Sequence, residues 1–176
     1  MRRFSTLLFA SVTIATTLGI LSFKSKPPKF SATYNAQLVS TQQMGLNYEW
    51  VWSVANPNPG NGTNGTLQNL SHWSLAISDL ITAQNIVGVA YSTDGINWVP
   101  LPVHFAIDKS QECYKGTVLK FDYGTTGSAP TYYQLVVNQE FPTGFSLANF
   151  KSGNKTGCYN APVMGIGTPA GDGIDR

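Results

Sequence analysis

The chain has 176 residues, of which 42% are hydrophobic, 12% aromatic and only 11% charged, which suits one domain with a substantial apolar core. The formal net charge of +2 depends on Arg2, Arg3 and Lys24, since the rest of the chain carries eight basic and nine acidic residues, a net charge of −1. No basic patch is present, which argues against a nucleic-acid-binding protein.

Residues 1–25 have the pattern of a secretory signal peptide. Arg2 and Arg3 form a positive start, and residues 7–23 are an apolar run interrupted only by small residues. An uncleaved N-terminal anchor is the alternative, because a run of about 17 residues is the lower limit for spanning a bilayer. We therefore predict a secreted or cell-surface protein that contacts a membrane only if this leader is retained. Beyond the leader we predict a linker, a folded domain and a flexible tail, at 26–33, 34–164 and 165–176.

The strongest strand pattern lies at residues 46–54, after a first predicted strand at 30–40. Large side chains alternate with smaller or polar ones, and such a period of two is typical of a half-buried β-strand. The predicted inward face carries Leu46, Tyr48, Trp50, Trp52 and Val54. Because each buried aromatic contributes roughly 150–250 Å² of burial, we expect Tyr48, Trp50 and Trp52 to form the centre of the core.

Further strands follow a Pro- and Gly-rich stretch, 56–69, which predicts a long exposed loop. The next predicted strand, 71–78, directs Trp73 into the core. Asp94-Gly95 separates the apolar runs 86–92 and 96–101, a strong signal for a β-hairpin. Trp98 follows this turn and is the tryptophan that we expect to be most exposed.

The C-terminal half contains three more predicted strands, which brings the total to about eight. They lie at 117–123, with Phe121 in the core, at 132–138 and at 145–150. Short strands at this spacing, without an amphipathic helix, predict an all-β fold: an antiparallel two-sheet β-sandwich of immunoglobulin-like or jelly-roll-like type. A closed barrel is the alternative.

Cys113 and Cys158 are the only cysteines. Two cysteines in an exported chain most often form one disulfide, whereas a metal site needs more ligands nearby and a redox pair is usually spaced C-x-x-C. We predict a structural disulfide between them.

The titratable residues form no recognisable catalytic set. The two histidines, His72 and His104, lie in strand-like surroundings, and we interpret His72 as a structural hydrogen-bonding residue. A glycosidase would need two carboxylates across a cleft, which sequence suggests at most for Glu49 and Asp122. Two carboxylates in the stretch 172–175 give a weak calcium motif. We predict a protein that is not an enzyme and has no cofactor and no metal site.

Binding is better supported than catalysis, because the chain has four tryptophans and eight tyrosines. An outward-facing ring, with Trp98 as the candidate, would stack on a sugar. The leading hypothesis is a structural or adhesive protein of the cell surface, which associates with its own copies through exposed sheet edges or with surface glycans. The alternative is a carbohydrate-binding module.

Several short motifs carry a resemblance. They are the S-H-W segment at 71–73, K-F-D at 120–122, the strand at 133–137, F-K-S-G at 150–153 and the late Cys158. Together they are similar to a group of exported bacterial β-sandwich domains found on surface and spore-associated proteins. The resemblance implies an extracellular β-sandwich and implies no catalytic residue.

Overall fold

The computed structural model describes residues 33–77, 81–154 and 156–167. The predicted signal peptide and the calcium motif at 172–175 lie outside the described residues. One short 3₁₀ turn, Ala83–Asn85, accompanies ten strands in this part of the chain. The strands are β1 (Asn35–Met44), β2 (Asn47–Ala55), β3 (Leu70–Ala76), β4 (Ile86–Ser92), β5 (Val99–Leu101), β6 (His104–Ile107), β7 (Thr117–Phe121), β8 (Thr131–Val137), β9 (Thr143–Ser152) and β10 (Cys158–Ile166).

The strands form two antiparallel five-stranded sheets, which confirms the predicted all-β, two-sheet architecture. Sheet I has the order β1-β2-β8-β4-β5, and sheet II has the order β10-β9-β3-β7-β6. The chain changes sheet repeatedly, so that strands distant in sequence become neighbours. Within the described residues, no helix is long and apolar enough to cross a membrane.

The centre of the core is a cluster of aromatic rings contributed by both sheets. Trp52 of sheet I lies 6.2 Å, centroid to centroid, from Trp73 of sheet II, and Trp73 stacks on Phe121 at 4.8 Å. Trp50 is also buried, and Tyr48 is half-buried at the margin of the cluster. Leu46, in contrast, is 90% exposed, because it follows Gly45 in the β1–β2 turn and precedes the start of β2.

Two strands were not predicted from the sequence. β6 has four residues, and β10 contains Pro162 and Gly165, which usually argue against a strand. β10 is an edge strand that pairs only with β9, and an edge is where a sheet tolerates proline. Residues 165 and 166 therefore belong to a strand rather than to the predicted flexible tail.

The β6–β7 connection, residues 108–116, lies against the outer face of sheet II, and we call it the clasp. Cys113 and Cys158 form the predicted disulfide, with their Cα atoms 5.8 Å apart, and so tie the clasp to β10. Gln111 is buried and its side-chain amide donates to the Ser74 hydroxyl at 3.3 Å. Ser74 alternates with the core residues of β3 and would face solvent if the clasp did not cover it.

Candidate ligand-binding groove

A groove of about 420 Å³ lies on the outer face of sheet I. Its floor comes from β2, in which Glu49 and Val51 alternate with the core residues Trp50 and Trp52 and therefore point away from the core. Although they face outward, Glu49 is only 6% exposed and Val51 only 7%. The outer face of sheet I is thus recessed at this point instead of flat.

One wall of the groove is the connection between β4 and β5, which the side chain of Asp94 organises. Its Oδ1 accepts hydrogen bonds at 2.8 Å from the backbone N–H groups of Ile96 and Asn97, and from the hydroxyl of Ser92. These bonds, together with the Asn97 side-chain amide, hold the pKa of Asp94 well below its usual range, so the carboxylate is ionised at neutral pH. The same bonds fix the loop that carries Trp98.

The two aromatic residues of the groove lie on this wall or beside it. Trp98 is half-buried and lines the groove together with Tyr132 of β8. Gly95 has a φ of +75°, and a Cβ atom at that position would lie 3.5 Å from the Tyr132 ring. The ring therefore rests against the loop. The opposite wall is the edge strand β1, with Val39 at a bulge, Ser40 and Gln42.

Hydrogen bonds from two glutamines hold Glu49 in place. Gln42 of β1 donates its side-chain amide to one carboxylate oxygen, and Gln134 of β8 donates to the other. Each oxygen has a further lone pair, so the carboxylate retains acceptor capacity. Among the described residues, no Lys, Arg or His forms an ion pair with Glu49. The groove thus combines two aromatic rings with a fixed network of polar side chains.

Trp98 is the one groove residue that the sequence singled out as a ligand-stacking candidate. Gln42, Glu49, Tyr132 and Gln134 were not proposed as ligand contacts, because they come from three strands and only the register of sheet I brings them together. One signal was available, since Glu49 is the only charged residue within the central strand.

A second polar cluster joins β3 to the clasp. His72 Nε2 lies 2.9 Å from Asp108 Oδ2 and 3.4 Å from the Ser110 hydroxyl, which itself donates to Asp108 Oδ1 at 2.6 Å. In a catalytic triad the hydroxyl and the carboxylate contact opposite ring nitrogens. Here both contact Nε2. The hydroxyl nearest the other nitrogen, that of Ser71, donates to the Lys151 carbonyl at 2.8 Å. This geometry fits a structural role in which His72 joins β3 to the clasp by a hydrogen bond, as predicted for a structural hydrogen-bonding residue.

The pKa values of this cluster reflect its burial. Burial lowers the pKa of His72, Lys120 lowers it further, and the nearby Asp108 opposes both effects without reversing them. For Asp108, burial acts to raise the pKa, but hydrogen bonds from Ser110 and the charges of His72 and Lys120 outweigh it, so the pKa lies below its usual range. The favoured protonation state of the pair is therefore a neutral His72 imidazole that donates a hydrogen bond to an ionised Asp108 carboxylate.

The carboxylate pair considered for a glycosidase does not face a common cleft. Glu49 lies on the outer face of sheet I, whereas Asp122 follows β7 of sheet II and lies 3.2 Å from Lys120 Nζ. In the part of the chain that the structure describes, no group of three or more His, Cys, Asp or Glu side chains is placed to hold a metal ion.

Comparison with known protein families finds no matching family model. Comparison with characterised proteins likewise finds no match.

Proposed function

We propose that the protein is a non-enzymatic, exported β-sandwich that binds glycans in the groove and serves in adhesion at the cell surface. The observation that carries this proposal is the pairing of Trp98 and Tyr132 with the glutamine-held carboxylate of Glu49 in one recess. Export is supported by the leader-like sequence at 1–25 and by the disulfide, which is typical of oxidising compartments.

The chemistry of the recess matches that of a sugar ring. A pyranose presents an apolar face of C–H groups and an equatorial belt of hydroxyls. An aromatic ring packs against the apolar face, and amide or carboxylate oxygens accept hydrogen bonds from the hydroxyls. Fixed polar groups favour affinity, because less conformational freedom is lost on binding. The Asp94 turn and the pairing of Glu49 with two amides supply such fixed groups.

Replacement of Trp98 by alanine tests the proposal. We expect the wild-type protein to bind glycans on an array of surface and plant polysaccharides, and Trp98→Ala to bind at least about tenfold more weakly, since a central aromatic ring often supplies about 2 kcal/mol or more. Phe145→Ala is the matched control, because Phe145 is 45% exposed but lies on β9 of sheet II. Thermal unfolding of each variant verifies that the fold is intact.

Two results would contradict glycan binding in the groove. One is the absence of any glycan hit for the folded wild-type protein. The other is equal loss of binding in Trp98→Ala and Phe145→Ala, which would place the ligand elsewhere or indicate a general effect on folding.

A second candidate function is self-association through β1. This strand has ten residues, lies at the edge of sheet I and contains no proline. The other three edges are less suited to pairing, since β5 and β10 contain Pro100 and Pro162 and β6 has only four residues. Copies joined along β1 would give a multivalent surface for adhesion.

A further inference from the structure

We infer that the groove selects uncharged glycans and rejects acidic ones. This inference rests on the proposed glycan site and adds the chemical class of its ligand. The ligands excluded from the groove are polysaccharides that bear uronate, sulfate or phosphate groups. Such polysaccharides are common at cell surfaces and would otherwise fit the same aromatic wall.

The charges of the molecule are distributed unevenly around the groove. The groove is lined by two carboxylates, those of Glu49 and Asp94, and by no Lys, Arg or His. The sequence has no Lys or Arg from residue 30 to 108 or from 121 to 150, and these stretches include every strand of sheet I. The described lysines belong instead to sheet II and its clasp: Lys109, Lys115, Lys120 and Lys151.

Both carboxylates are also held in fixed positions by hydrogen bonds from the protein. Asp94 Oδ1 accepts two backbone N–H groups and Oδ2 accepts the Asn97 amide at 2.7 Å. Glu49 accepts one amide on each oxygen. These bonds fix the negative charges in place and keep the Asp94 carboxylate ionised. The two negative charges therefore repel an acidic sugar, and the remaining lone pairs of the carboxylates accept hydroxyl hydrogens from a neutral one.

The recess strengthens this discrimination. Glu49 is only 6% exposed at the floor, where water screens its charge less than at an open surface. An acidic group that enters the recess meets Glu49 on its floor and loses part of its own hydration. A neutral sugar has no such penalty, so the selectivity arises mainly by exclusion of the wrong ligand.

Matched glucan oligomers provide the test. We would measure binding of β-1,4-glucan, β-1,4-xylan and chitin oligosaccharides beside glucan oligomers oxidised to carboxylates at C6, and beside galacturonan. We expect neutral ligands to bind at least about tenfold more tightly than acidic ones at low salt, and the ratio to shrink as salt rises from about 0.01 to 1 M, because the screening length falls. In Glu49→Gln, which removes the charge and keeps the shape, the ratio should also fall.

The possible failures are distinguishable. Acidic oligomers that bind as tightly as neutral ones, or a neutral-to-acidic ratio unchanged in Glu49→Gln and at high salt, would overturn the selectivity while leaving the groove as a glycan site if Trp98→Ala still loses binding. Failure of every glycan to bind the folded wild-type protein would remove the proposed function itself.

Discussion

Trp52 and Trp73, two fully buried tryptophans of the core, differ in one hydrogen bond. Trp52 Nε1 donates to the Met164 carbonyl at 2.9 Å and so links β2 of sheet I to β10 of sheet II. Trp73 Nε1 is buried, and no acceptor lies within hydrogen-bonding reach of it among the described residues. A buried donor without a partner is destabilising. Trp73 is held by ring packing on Phe121, Phe150 and Tyr133.

This difference predicts unequal effects of the same substitution. Trp52→Phe and Trp73→Phe remove similar volume, but only the first breaks a hydrogen bond and only the second removes an unsatisfied donor. We expect Trp52→Phe to lower the free energy of unfolding by roughly 1–3 kcal/mol more than Trp73→Phe. Urea denaturation of both variants measures the difference. Equal destabilisation would show that packing alone determines the role of both rings.

The hydrogen-bonded pair of His72 and Asp108 makes the free energy of unfolding depend on pH. The pKa of His72 is lowered from 6.5 in the folded protein, so the unfolded chain binds a proton that the folded chain does not, and stability is lost as pH falls below about 6.5. The pKa of Asp108 is lowered from 3.8, so a further loss follows below that pH. We expect the unfolding temperature to fall between pH 7 and pH 5 and this fall to diminish in His72→Gln. His104→Gln is the matched control, since His104 is exposed. If both variants reduced the pH-dependent fall in unfolding temperature equally, the assignment to His72 would be refuted.

At the residue scale, the sequence offers Trp98 as a stacking candidate, and the structure places it in a groove whose other residues the sequence did not suggest. A tryptophan that follows a turn can be recognised from the sequence alone. The pairing of Glu49 with Gln42 and Gln134 depends on which residues face each other across three strands. A shift of one residue in the register of any of these strands would turn its member of the set to the other face.

At the scale of elements, local patterns predicted strands well where alternation is uninterrupted. The predicted strand 86–92 coincides with β4, and Asp94-Gly95 does connect a hairpin, as β4 pairs with β5. The connection is longer than a two-residue turn, because the Asp94 carboxylate stabilises a six-residue loop through Asn97. β10 was missed because an edge position, which only tertiary structure defines, makes Pro162 acceptable.

The clasp is the element whose contribution to the free energy of unfolding is most readily measured by itself. The disulfide joins residues 45 positions apart, and closing a loop of this length contributes about 4 kcal/mol in the chain-entropy model. We expect the double variant Cys113→Ser, Cys158→Ser to lose stability of that order in denaturant. Trypsin should also cut faster after Lys109 and Lys115, which lie exposed within the clasp. A double variant with wild-type stability and cleavage would mean that His72 and Gln111 hold the clasp unaided.

At the scale of the whole molecule, the two sheets have different outer faces. Sheet II and the clasp that covers it carry the four described lysines, whereas sheet I presents the groove and has no basic residue in its strands. The groove lies beside β1, the long edge strand without proline, so copies that pair along β1 would bring their grooves close together. The low content of charged residues is evident from the composition. Which face of the molecule carries them depends on which strands the chain places in each sheet.

Charge placed on the β1 edge tests whether the protein associates through it. Gln37 and Gln43 are exposed on β1 and lie outside the groove lining. Lysines at both positions would repel the same lysines of a second copy aligned along this edge. We expect the purified wild-type protein to form concentration-dependent oligomers in sedimentation velocity, and Gln37→Lys with Gln43→Lys to sediment as a monomer. Ala106→Lys with Ile107→Lys is the matched control, because it places the same charges on β6, the short edge of sheet II, and should leave the oligomers intact. A wild-type protein that stays monomeric at every concentration, or oligomers lost only in the β6 variant, would refute association through β1.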